Sequence, residues 1–146
     1  MKDKTGQVAL EYLLIFAISL ILLIVFTMPL ADMTVSDTMD VSDTMNVKSD
    51  LSKIAQSVKE VYGQGQGSKQ TVVITSQKDI TINVANNYVS SNIKLNDGSN
   101  KNEKIYFTST LEKSNLYIKK GTNSIVVEWP QGSENMQIYK QNTKVI

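Results

Sequence analysis

The sequence predicts an α+β chain: one long N-terminal α-helix, hydrophobic and kinked near Pro29, followed by a small antiparallel β-sandwich-like head. Three observations carry this prediction. No charged residue occurs from Tyr12 to Met28, and Gln7 to Leu30 as a helix is about 36 Å long at ~1.5 Å per residue, enough for a bilayer core. Apolar residues from Val47 to Tyr62 recur at helical spacing. Beyond Gly67 the chain breaks into short alternating runs rich in Val, Ile, Thr and Tyr, separated by turn residues.

The 146 residues suit one modest domain plus an anchor rather than two separate cores. Net charge is only +1, so the total implies no nucleic-acid partner, but charge is unevenly placed. Five aspartates face one lysine between Asp32 and Asp50, whereas ten lysines face six acids from Ser68 to Ile146. Attraction between this acidic connector and the basic head of another subunit is an expectation of that asymmetry. All basic residues are lysine, and Cys and His are absent. The absence removes disulfides, thiolate nucleophiles, the usual zinc ligands and the commonest general base. The expectation is a protein that is not an enzyme, with no catalytic residue, cofactor or metal.

Met1 to Gly6 form a polar leader containing Lys2 and Lys4, whose positive charge should hold it on the cytoplasmic side. The apolar run behind it is longer than the core of a conventional signal peptide. Thr27-Met28-Pro29-Leu30-Ala31 also offers no small-x-small cleavage site, so the helix is expected to stay with the protein.

Gly6 followed by Gln7-Val8-Ala9-Leu10-Glu11-Tyr12 and a hydrophobic helix resembles the class III signal peptide of archaeal type IV pilins. Ala9 stands where that family usually has serine, and the resemblance covers about the first thirty residues. It implies cleavage between Gly6 and Gln7 by a prepilin peptidase. It also implies that Glu11 is an assembly contact, pairing with the new N-terminal amine at Gln7 of a neighbouring subunit. Cyclisation of that glutamine would delete the amine's charge, and Glu11 would then need a proton or another donor. Without the resemblance, Glu11 reads as an acid snorkelling at the membrane surface.

Pro29 lacks the N–H that would bond the carbonyl of Val25, and its ring crowds that carbonyl. A helix kink there, or a proline tolerated where the helix leaves the membrane, both give a bend between anchor and stalk. A repeat follows, Val35-Ser-Asp-Thr-Met39-Asp and Val41-Ser-Asp-Thr-Met45-Asn. Its six-residue period fits neither 3.6 per turn nor a clean strand face. A solvated connector and a helix touching neighbours on several sides are both open, as is helical continuity through residues 31–46.

Val47, Leu51, Ile54, Ala55, Val58, Val61 and Tyr62 then mark one helical face, with Lys48, Lys53, Lys59 and Glu60 away from it. Asp43 or Thr44 would cap this helix if the repeat interrupts it. Gly63-Gln-Gly65-Gln-Gly67 ends it. Seven strands are expected: 71–76, 79–85, 88–95, 104–111, 115–119, 124–129 and 136–139. Leu116 to Trp129 reads as a hairpin turning at Lys119 to Asn123.

The organisation is therefore a cleaved leader over 1–6, a transmembrane or filament-core helix over 7–30, an amphipathic stalk helix and Gly-rich linker over 31–67, and an extracellular β-rich head over 68–146. Within the head, Asn96-Asp97-Gly98-Ser99-Asn100 reads as a β-turn rather than a calcium loop, lacking the spacing and distal glutamate of an EF-hand. Lysines between Lys94 and Lys120 are interleaved with Glu103 and Glu112 and read as ordinary solvated surface. Trp129 and the tyrosines read as core or sandwich edge. The head has no Asn-x-Ser/Thr sequon.

The expected function is a pilin subunit of an archaeal type IV pilus-like surface filament. The precursor would sit in the cell membrane as a single span, and the mature protein in an extracellular filament. Partners would be other pilin subunits, the prepilin peptidase and the pilus assembly machinery, with the membrane before assembly and no nucleic acid. The head would serve attachment. The alternative is an uncleaved, single-span, membrane-anchored binding module.

Overall fold

The structure, a computed structural model, describes residues 4–141. Helix α1 (Lys4–Gln64) is followed by seven strands: β1 (Lys69–Ser76), β2 (Ile80–Val84), β3 (Tyr88–Lys94), β4 (Asn100–Tyr106), β5 (Ser114–Ile118), β6 (Gly121–Glu128) and β7 (Gln137–Lys140). The chain divides into two units, residues 1–39 and residues 40–146.

In the first unit α1 runs past Pro29 without interruption, and helix continues through the six-residue repeat. Asp43 and Thr44 therefore lie inside the helix rather than capping a new one. In the second unit the stripe read from sequence is buried: Leu51, Ile54, Val58 and Val61 have no exposed surface, and Val47 and Ala55 very little. Thr44 extends this stripe one turn earlier. Tyr62 departs from the expectation, because it lies at the rim, half exposed, and stacks on Trp129 with ring centroids 5.5 Å apart. The helix closes where the glycines begin. Gly65 adopts φ 88°, and its N–H reaches the Val61 carbonyl at 3.1 Å.

The strands form two antiparallel sheets, one ordered β1-β6-β7 and the other β4-β3-β2-β5. Their inward residues, among them Ile74, Ile82, Val89, Ile118, Ile125 and Ile138, join the helix stripe in one hydrophobic core. Outward residues alternate with them, as period-2 patterning requires.

Two sequence expectations fail here. Leu116 to Trp129 is not a hairpin, because β5 pairs with β2 in one sheet and β6 pairs with β1 in the other. The chain instead crosses between sheets at Lys119-Lys120, beside the crossing from β1 to β2 at Gln77-Lys78. Asp79 ties the two crossings together: its carboxylate accepts the Lys120 N–H at 2.7 Å and the Tyr117 hydroxyl at 2.8 Å. The fourth strand is Asn100–Tyr106 and not 104–111. It begins directly after the turn, which is closed by Gly98 N–H to Leu95 O at 3.1 Å and Leu95 N–H to Ser99 O at 2.9 Å. Its first half is exposed on both faces, so no apolar alternation marks it.

A G1 bulge opens β1. Gly67, at φ 87°, donates to the Trp129 carbonyl at 2.7 Å, and the Trp129 N–H donates to Ser68 O at 2.9 Å. This fixes the phase of the ladder: with Lys69 opposite Glu128, the main-chain groups of Gln70, Val72, Ile74 and Ser76 turn toward β6. Those of Lys69, Thr71, Val73 and Thr75 turn to the sheet's free edge.

Candidate functional site

The residues singled out at the N-terminus all lie on α1. Gly6 and Gln7 sit in its first turns, and the Gly6–Gln7 bond lies within helical backbone. A Cβ on Gly6 would meet nothing within 4 Å, so no packing within the chain demands a glycine. Glycine costs a helix roughly 1 kcal/mol relative to alanine. At this position the cost eases local unwinding of the helix end.

Glu11 is exposed and has no hydrogen-bond or ion-pair partner among the described residues. Its helical neighbours three and four positions away are Gln7, Val8, Leu14 and Ile15, which provide one amide and three apolar side chains. The charge is thus carried on an apolar surface with nothing among the described residues placed to meet it.

From Val8 to Leu30 the large apolar side chains are exposed, Leu10, Leu13, Phe26 and Met28 each by two thirds or more. Burying one such side chain is worth roughly 1.5–3 kcal/mol, so a row of this length is not a surface built for water. The helix is long and apolar enough to cross a membrane. Its hydroxyls are also turned inward to the backbone. Ser19 Oγ donates to Ile15 O at 2.8 Å, Thr27 to Leu23 O, and beyond the run Thr34 to Leu30 O at 2.9 Å. Each satisfies its donor within the helix, as an apolar medium requires. This was missed at the sequence level, although the signal, Ser or Thr in an apolar helix with a carbonyl four residues earlier, was present.

In the repeat, Val35, Met39, Val41 and Met45 are all more than half exposed. The acidic connector is partly used within the second unit, which sequence reasoning did not foresee. Asp43 pairs with Lys78 at 2.6 Å, and Asp50 with Lys53 at 3.1 Å. Asp40 accepts the Asn96 N–H with both oxygens at 3.0 Å.

The Asn96–Asn100 stretch is the β3–β4 turn, Asp97 Oδ1 accepting the Ser99 N–H at 2.8 Å. Among the described residues no three carboxylates come together in a way that could hold a metal ion. Trp129 lies partly buried against the core, its indole N–H donating to Ser133 O at 2.8 Å. A partly open pocket of about 20 Å³ beside Asp43, Val47, Asp50 and Ile93 has room for a water molecule and little more.

With this geometry in place, the comparison with known families is informative at one end of the chain. Residues 4–30 match the family described as Class III signal peptide. The N-terminal segment is thus a class III signal peptide, in keeping with the resemblance carried by Gly6 to Tyr12. The chain is accordingly a type IV pilin-like precursor, of a class that is processed by prepilin peptidase and enters pilus assembly. The apolar helix fits a membrane-anchored precursor. No curated protein and no solved structure matches the chain.

Proposed function

We propose that this protein is a structural subunit of an archaeal type IV pilus-like surface filament. The observation that supports the reading is an exposed apolar helix lying within a segment that matches a class III signal peptide. After cleavage between Gly6 and Gln7, helices from many copies would leave the lipid and pack together. They would exchange one apolar environment for another, so the hydroxyls bonded back to the helix need no new partners. Glu11, which has no partner among the described residues, would meet the freed amine of an adjacent copy, which gives it a counter-charge and sets axial register. Pro29 would bend the helix between its packed and stalk portions. The β-rich head would face outward and serve attachment, and the protein would bind and assemble without catalysing a reaction.

A second reading, an uncleaved membrane-anchored binding module, draws on the complete core of the 40–146 unit, which needs no neighbour to close it. N-terminal mass analysis of native protein separates the two. A chain beginning at Gln7 and recovered in sheared filaments is expected, and a chain beginning at Met1, monomeric in detergent, overturns the filament reading. Substituting Gly6→Phe is expected to leave the precursor uncut. The open space around Gly6 excludes a steric clash as the reason, so normal cleavage of that variant would place the site elsewhere.

A further inference from the structure

The lysines of the head, interleaved with acids along the sequence, are sorted by the strands. In β4, Glu103 and Lys101 point the same way and pair at 3.4 Å, whereas Lys104 points to the other face. Glu112 is engaged by Gln137 Nε2 at 2.9 Å, beside β7. The outward face of the four-stranded sheet is left with Lys104 on β4, Lys94 on β3 and Lys119 just after β5, all exposed. Two carboxylates stand at its border: Asp79, already bonded to Tyr117 and to the Lys120 N–H, and Asp97 in the β3–β4 turn, which accepts the Ser99 N–H at 2.8 Å.

The rest of this face is amide and phenol, with the hydroxyls of Thr81 and Ser90 among them. The register sets Asn102 beside Asn92 and Asn115 beside Asn83, and it carries Tyr88 beside Tyr106. Tyr106 and Tyr117 are more than half exposed. With strands ~4.8 Å apart and ~3.3 Å per residue, Tyr117 on β5 and Tyr106 on β4 stand about 20 Å apart across the sheet. The rings are held in place before any ligand arrives. Tyr117 is held by its hydroxyl on Asp79, Tyr88 by Lys104 lying 4.8 Å over its ring, and Tyr106 by its tilt against Tyr88 at 5.5 Å. The outward face of the other sheet differs, since there Lys69 is offset by Glu128 at 3.8 Å.

We propose that the outward face of the β4-β3-β2-β5 sheet is a docking platform for a carboxylated polysaccharide. Tyrosine rings offer flat surfaces to the C–H faces of sugars, asparagine amides both donate to and accept from hydroxyl pairs, and the lysines supply charge opposite the carboxylates. Among the described residues the face carries no free carboxylate pair, which suits holding a chain rather than cutting one. This inference rests on the head being displayed outside the cell.

The test uses full-length protein in non-ionic detergent, with soluble polygalacturonate as probe and dextran and duplex DNA as comparators. Binding to polygalacturonate is expected, falling with salt and exceeding that to either comparator. Replacing Lys94→Gln and Lys104→Gln together is expected to weaken it about three- to tenfold, the effect of losing two exposed ion pairs. Asn92→Ala with Asn102→Ala should weaken it with the charge left intact. Lys53→Gln with Lys59→Gln, on the helix, should not. No binding, equal binding to dextran, DNA bound as tightly or more tightly, or equal loss in the helix variant would each overturn the proposal. Filaments that form and do not bind would sink this inference alone. Binding by a protein that keeps its leader and never assembles would sink the filament reading alone.

Discussion

Asp79 shows how much a single exposed side chain can hold. The backbone N–H of Lys120, then the hydroxyl of Tyr117, keep its carboxyl below the usual 3.8, while the same contact pushes the Tyr117 hydroxyl above its usual 10.0. A lowered carboxyl stabilises the fold above its unfolded value and loses that contribution as pH falls through the folded one. The Asp79→Asn variant is therefore expected to be less stable than the parent at neutral pH. The gap should narrow as pH drops from 3.8 downward, read by denaturant unfolding at a series of pH values. A gap constant across that range would show that the charge contributes nothing. The raised Tyr117 acts at the other end: its contribution is full below 10.0 and fades as pH rises through the raised value. Neither partner was legible in the sequence, since Asp79 and Tyr117 are 38 positions apart and meet only because β2 and β5 are neighbours.

At the level of elements, helical periodicity was the clearest signal, and strand partnering the weakest. The spacing from Val47 to Val61 located the buried face because a helix's neighbours are set by its own sequence. Leu51 is at the centre of that face with no exposed surface, and Leu51→Ala is expected to cost about 2–5 kcal/mol in the unfolding of the head. A loss below ~1 kcal/mol would mean that the core closes without the helix. Strands are different, because pairing is decided by residues far away in sequence. β5 and β6 carried the marks of a hairpin, alternating residues around a glycine, yet they belong to separate sheets. Their patterning says only that each has an inner face. β4 was displaced because Asn100 to Asn102, exposed on both sides, carry no pattern. The lysine face was illegible because Glu103 lay outside the expected strand. Neighbours in a strand always turn opposite ways, but only the pairing shows that Lys104 takes the outward face and Glu103 the inward one.

For the whole molecule, the two units differ in what they lack. The head has its core already, whereas the N-terminal helix has exposed apolar surface and, within its apolar stretch, an acid, Glu11, with no partner among the described residues. That imbalance was legible from the start, because composition alone carries it. Glu11→Ala is expected to leave membrane insertion and leader removal intact while reducing filament yield. The comparison is sheared filaments against membrane-bound subunit, and normal filaments would remove Glu11 from assembly. Order along the chain adds a constraint of time. β1 is laid down early, but its partner, β6, begins 45 residues after β1 ends, and every residue from Lys69 to Ser76 waits for it. Contacts between distant segments form slowly, since a long loop must close first. A chain delivered from its N-terminus thus holds its anchor well before its head can shut, and the late-arriving β6 decides when the head is finished.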